Sequence, residues 1–336
     1  MMIPLPAGAL VSASSTGDKL HLELAAWHWP FLLAVLASLL LIDLFVVNRE
    51  AHEIHTGEAA VTSAVWIGIG LSFSLFMWWQ FGSRATGEYL GGYLIEKSLS
   101  VDNVFVWAVI FTHFKVPARY QHRVLFWGIF GALAMRLGFI FAGVAVINAF
   151  KPTLILFGVF LLYTGVNLLQ TKDEGFDPAD SRAMRIFHRF IASTDRMDGQ
   201  KMFTLENGKR LATPLFAVLV LVEITDVIFA VDSVPAVLAV TGNQYVAFAS
   251  NAFAILGLRA LYFLLADMRD RFEYLQTGLG IILVYVGIKM TVSYWWHIPI
   301  AISLAVIGLI LAVSIVASLR AESARTVPSE GDTPRH

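Results

Sequence analysis

A chain of 336 residues that is 57% hydrophobic and only 15% charged, with a mean hydropathy of +0.69, is too apolar for a soluble domain, where charge runs at about 25%. A formal net charge of −1 offers nothing to nucleic acid, and the absence of cysteine excludes disulfides and thiolate metal sites.

Residues 1–26 lack a basic stretch followed by a short apolar core, so they read as an extracytoplasmic N-terminal segment rather than a cleavable signal. Apolar runs long enough to cross a bilayer, about 20 residues each, follow at 27–47, 61–81, 89–114, 124–147, 152–170, 213–240, 248–266, 278–294 and 298–318. The expected fold is all-α: a polytopic membrane protein of about nine transmembrane helices, its transmembrane domain covering 27–319. Between spans 5 and 6 lies a basic segment, 171–212, and a polar tail with two prolines, 320–336, reads as disordered. One side of such a protein collects Arg49, Lys115, Arg119, Arg123, the group from Lys172 to Arg210, Arg269, Arg271, Arg320, Arg325 and Arg335. The other receives Lys19, Arg84 and Lys151. Positive charge stays inside, which places the C-terminus in the cytoplasm and the N-terminus outside.

Spans 3 and 6 carry acids that a lipid-buried segment should not have: Glu96 and Asp102 in the first, Glu223, Asp226 and Asp232 in the second. A charge at the bilayer centre costs about 2.5–3.5 kcal/mol on insertion scales, so such groups need partners. They belong to an internal duplication. Glu96 and Asp102 stand six apart, as do Asp226 and Asp232. Phe130 precedes Arg136 as Phe253 precedes Arg259. Gly158, Tyr163 and Gly165 match Gly280, Tyr285 and Gly287. Spans 3–5 and 6–8 are therefore read as two copies of one unit, and since three is odd the second copy is inverted, a hallmark of secondary transporters. Pro235 favours a kink or break in span 6. Six residues on a helix separate side chains by about 120°, so Asp226 and Asp232 face one ligand only if the helix unwinds between them.

The acids within spans are Asp43, Glu96, Asp102, Glu223, Asp226 and Asp232; the bases are Lys97, Arg136, Arg259 and Lys289. Six against four leaves a deficit that one divalent cation would fill. None of the nine histidines lies near the centre of a span, so the candidate shell is oxygen-only: carboxylates, Asn103, the hydroxyls of Ser100, Thr225 and Ser233, and freed carbonyls. Such a site suits magnesium, calcium or manganese and not zinc, copper or nickel. Arg136 and Arg259 read first as structural counter-ions, Lys97 as the partner of a neighbouring acid, and Asp43 as a snorkelling residue at the end of span 1. His52-Glu53-Ile54-His55 has the wrong spacing for a zinc-protease helix and reads as loop.

The strings Glu96–Val106 and Asp226–Ala236, with Ser250-Asn251 through Ala260 and His297–Ile300, closely resemble the TerC family of bacterial integral membrane proteins, and the resemblance spans about residues 27–318. It implies a multi-pass protein of the bacterial inner membrane that exports manganese as its transported substrate, with no cofactor and no enzymatic activity, and an older association with tellurite resistance. Carried onto this chain, the family's metal-site motifs are Glu96, Asp102, Asn103, Glu223, Asp226 and Asp232. Two rival readings are a non-transporting scaffold for metal delivery, docking through the basic segment, and an intramembrane aspartyl protease. The second is disfavoured because Val101 and Val231 precede Asp102 and Asp232, where that class carries Tyr or Gly.

Overall fold

The computed structural model describes residues 22–44, 56–150, 152–170, 193–194, 198–206, 208–265, 273–292 and 298–326. The expectations for residues 1–21, His52 to His55, 171–192, His297 and the tail beyond 326 lie outside them. The elements in order are α1 (His28–Ile42), α2 (Thr56–His113), α3 (Ala118–Ala149), α4 (Thr153–Gln170), a two-stranded antiparallel sheet of β1 (Phe203–Glu206) and β2 (Lys209–Ala212), then α5 (Pro214–Leu238), α6 (Gln244–Leu256), α7 (Leu258–Leu265), α8 (Glu273–Val292) and α9 (Ile300–Thr326).

The distribution of side chains is inverted relative to a soluble protein. Leu75, Trp78, Trp79, Leu156, Ile228 and Leu309 are more than half exposed, while Glu96, Arg136, Asp226 and Asn251 are buried. An apolar exterior around a charged interior is stable only where lipid, not water, is the solvent. Five helices, α2, α3, α4, α5 and α9, are long and apolar enough to cross a membrane. The pair α6–α7, bent by 40°, makes a sixth, and α1 and Thr277–Val292 of α8 are shorter apolar helices. The chain is an integral, multi-pass, mostly helical membrane protein, and among the described residues each of the nine predicted apolar runs lies largely on a helix or helical arm.

At 58 residues α2 would extend about 87 Å if straight, nearly three bilayer cores. It turns back instead. Gly82 takes φ 81° and ψ −178°, and beyond it Tyr89 donates a hydrogen bond from its hydroxyl to the carbonyl of Gly70 at 2.8 Å while its ring lies 5.5 Å from that of Phe73. Residues 56–81 and 83–113 are thus two antiparallel arms. That backbone conformation is essentially glycine's alone, and open space surrounds the position. Gly82→Ala is therefore expected to destabilise the protein by about 1–3 kcal/mol through backbone strain, read as a lower midpoint in thermal unfolding in detergent. Gly68→Ala, a helical position also surrounded by open space, is the matched control.

Helices from the first expected unit, spans 3–5, pack on helices from the second, spans 6–8. The second arm of α2 meets α6, where Gly92 faces Ser250; α3 meets α5, where Gly128 faces Val222. Helices α4 and α8 cross at their glycines, Gly158 against Gly287 and Gly165 against Gly280. The order is reversed between the two, so they run antiparallel in direct backbone contact, the close approach that small residues permit in membranes. The aromatic side chains of Trp29 and His28 pin α1 against Phe81, Tyr245 and Phe248.

Two expectations are corrected here. Helix α5 is continuous from Pro214 to Leu238 and does not unwind between Asp226 and Asp232. Pro235 lies in its last turn, where the missing N–H leaves only the carbonyl of Val231 without its i+4 donor. The interruption falls in the next span instead, at Gly257 between α6 and α7. The all-α expectation also omitted the β1–β2 hairpin in the basic segment. Its signal was present: Asn207-Gly208 is a strong two-residue hairpin sequence, and Gly208 has φ 72°. The hairpin sits against the start of α5 through Phe203, whose ring is 4.5 Å from Phe216 and lies beneath the Arg210 guanidinium.

Candidate functional site: a buried acid network beside a small cavity

Two of the predicted acids converge on one arginine. Arg136, on α3 and 1% exposed, donates from Nη2 to Asp226 Oδ1 at 3.0 Å and from Nε to Asp226 Oδ2 at 3.4 Å. Its Nη1 pairs with Glu96 and reaches Ser233 Oγ at 3.0 Å and Asn251 Oδ1 at 3.5 Å. Glu96 accepts in addition from Asn251 Nδ2 at 2.8 Å and from Ser100 Oγ at 3.3 Å. Asn103 Nδ2 donates to Asp226 Oδ1 at 3.5 Å. Four helices contribute: the second arm of α2, α3, α5 and α6. A guanidinium serves here because its planar fork takes one carboxylate side-on while leaving a further amine for the second.

Beside this network lies a cavity of about 90 Å³, lined on its polar side by Glu96, Asn103, Arg136, Thr164, Asp232 and Ser233 and closed by Leu99, Leu168, Phe229 and Leu283. Asp232, half-buried, accepts a hydrogen bond from Thr164 Oγ1 at 3.2 Å. Asn103 Oδ1 is buried with no hydrogen-bond partner. Glu223 shares a face of α5 with Asp226, packs over Gly131 of α3, and has a buried Oε2 that lacks a partner.

The predicted site residues thus divide. Glu96, Asn103 and Asp232 line the cavity; Asp226 stands behind Arg136; Glu223 is one turn back along α5. The side chain of Asp102 lies outside the described residues. Among the described residues no three of the histidines, aspartates and glutamates come together closely enough to hold a metal ion. Of the hydroxyls, Ser100 and Ser233 join the network, whereas Thr225 bonds back to the carbonyl of Val222 in its own helix.

Several roles differ from the expectation. Lys97 does not pair with an acid through a hydrogen bond; its Nζ donates to the carbonyl of Ala254 at 3.2 Å, one of the acceptors freed where the helix breaks at Gly257. Asp43 does not snorkel: it is 4% exposed and paired with Arg259. Arg259 therefore serves Asp43, outside the two acid-bearing segments, whereas Arg136 holds Glu96 and Asp226. Glu88 and Lys289 form a further buried set with Thr241 at the far end of the same arm of α2. Sequence reasoning missed Asn251, Thr164 and Glu88. Asn251, a full amide inside an apolar run, was the legible one; Glu88 fell just outside the boundary drawn for span 3.

The family model for the integral membrane protein TerC family matches residues 81–326. The chain belongs to the TerC family. It is 46% identical over 307 residues, 91% of this chain and 96% of the relative, to the uncharacterized membrane protein STKORF319 of Myxococcus xanthus. Against the putative membrane-bound redox modulator Alx of Escherichia coli K12 it is 44% identical over 297 residues, 86% of this chain and 92% of the relative. An uncharacterized membrane protein of Rickettsia bellii is 38% identical over 291 residues, 87% of this chain and 96% of the relative. No solved structure matches. The TerC match begins at Phe81, so it takes in the second arm of α2, every element from α3 to α9 and all the acids described above except Asp43.

Proposed function

We propose that this TerC protein exports a hard divalent cation, manganese above all, across the bacterial inner membrane by alternating access. The observation that carries the reading is the cavity between the two repeated acid segments, lined by Glu96, Asn103, Asp232 and Ser233. Its donors are oxygens only, and its polar wall includes an amide oxygen with no partner. The cross-packing of the repeat supports an inverted relation between its copies. First helix rests on second, second on first, and third on third through reciprocal glycines, as a two-fold axis would arrange them. In this reading nine spans cross the membrane, the N-terminus is outside, the C-terminus is cytoplasmic, and the protein has no enzymatic activity. Carboxylates that release metal on protonation would couple export to proton entry. The redox role named for the E. coli relative cannot run on thiol chemistry in this chain, which has no cysteine.

Purified protein in liposomes is expected to carry manganese, with magnesium and calcium competing more strongly than zinc. Asp232→Asn, and separately Asp102→Asn, should reduce flux about a hundredfold, the consequence of removing one charged oxygen ligand worth roughly 3 kcal/mol, while elution on gel filtration is unchanged. Undiminished flux in both variants would remove the site; manganese binding without flux in the native protein would favour the scaffold.

A further inference from the structure

We infer that Arg136 is a tethered counter-ion of the carrier: it and the transported cation take the Glu96–Asp226 pair in turn, and its return to that pair is what lets the metal-free protein reorient. The inference rests on the transport reading above and adds a residue that the metal-site motifs do not include.

The argument begins with charge and geometry. Glu96 and Asp226 come from different copies of the repeat and face one guanidinium in a fully buried setting. Each of the three guanidinium nitrogens is within hydrogen-bonding distance of one or both of them. A divalent metal requires about six or more oxygens at roughly 2.0–2.6 Å, so it cannot share those carboxylates with a cation already seated between them. If metal is to use both acids, Arg136 must withdraw. If metal leaves and Arg136 does not return, two buried carboxylates remain uncompensated, and a bilayer-spanning protein cannot move them through its closed intermediate without severe penalty.

A landing place for the withdrawn side chain is built in. Glu223 lies three residues before Asp226 on the same face of α5, over Gly131 of the helix that carries Arg136, and its buried Oε2 has no hydrogen-bond partner. An unsatisfied buried carboxylate oxygen one helical turn from Asp226, the present partner of that guanidinium, is an acceptor without a donor in this arrangement. A shift of Arg136 by that turn would satisfy it and open the Glu96–Asp226 pair toward the adjoining cavity, where Arg136 and Glu96 already form part of the wall. Arg259 cannot substitute from its present position, since it is engaged with Asp43.

The test separates net export from one-for-one exchange in proteoliposomes loaded with radioactive manganese. Net efflux requires the metal-free carrier to reorient; exchange does not. The native protein is expected to do both. Arg136→Gln should retain exchange and lose net efflux about a hundredfold, as expected when two buried carboxylates are left without a counter-ion. Arg136→Lys, which keeps one charge but cannot fork to both acids, should restore part of the net efflux and leave exchange above it by about threefold or more. A merely structural arginine would depress both fluxes together in both variants. Net efflux equal to exchange in Arg136→Gln, or the two falling by the same factor, overturns the inference. Should Arg136→Gln not elute as folded protein, the ratio in Arg136→Lys decides alone, and a native-like ratio counts against it. Failure of the transport reading itself shows differently: the native protein would then move no manganese in either mode.

Discussion

Gly165→Ala is expected to disrupt the pairing of α4 with α8 and to lower the unfolding midpoint. A methyl at Gly165 would stand 2.8 Å from the backbone nitrogen of Val284 and 2.9 Å from the carbonyl oxygen of Gly280. One at Gly158 would stand 2.8 Å from the nitrogen of Thr291 and 2.9 Å from the oxygen of Gly287. These obstacles are backbone, which cannot rotate aside as a side chain would, so the helices must separate. Overpacking of this kind costs about 1–3 kcal/mol per site and more where backbone must move, against a total stability of about 5–15 kcal/mol. Gly158→Ala with Gly165→Ala should therefore leave little folded protein in mild detergent. Gly138→Ala on α3, with open space around it, should be indistinguishable from the native chain. Tryptophan fluorescence during heating measures all four. An unchanged midpoint in Gly165→Ala would mean that the two helices do not touch along their glycines.

Arg259→Gln and Asp43→Asn should each be severe, and together milder than the sum. Both partners are buried, with side chains 5% exposed. Removing one leaves a lone charge in an apolar setting, at a cost of about 3–5 kcal/mol. Replacing both substitutes a neutral amide pair that still fills the space, and a buried ion pair exchanged for neutral groups is often nearly neutral in stability. A double-mutant cycle on thermal unfolding is expected to return a large favourable coupling, at or above the roughly 3 kcal/mol top of the usual range for residues in one ionic contact. Additive losses would mean that α1 is held by its aromatic contacts to Phe81, Tyr245 and Phe248 alone and that the ion pair is incidental. Because Asp43 lies before the region the TerC model covers, the cycle also tests whether α1 is energetically part of the same body.

Composition and pattern alone carried the membrane reading and the helical runs, and led to the expectation of an acid-bearing duplication. Each is a property of side chains counted along the chain: an apolar run of sufficient length must be a helix in lipid, and repeated spacings survive whatever the chain does in space. Family membership was legible for the same reason, since long motifs such as Glu96–Val106 are linear. The N-cap at Asn243, whose side chain accepts from the backbone of Tyr245 and Val246, and the hairpin at Asn207-Gly208 rest on equally local signals, and neither was among the expectations.

What only the tertiary structure decided is which charge meets which. Arg136 and Arg259 each follow a phenylalanine by six residues, yet one takes Glu96 and Asp226 while the other takes Asp43. Charge counting could state that partners were required but not assign them, because pairing depends on distances between helices 40 to 216 residues apart in the chain. The break was misplaced for a related reason. Pro235 announces a missing donor, but a donor missing from the last turn of a helix disturbs little, whereas Gly82 with φ 81° turns the chain back on itself. Local chemistry sets where a helix is able to bend; the packing of the neighbouring helices sets where it does.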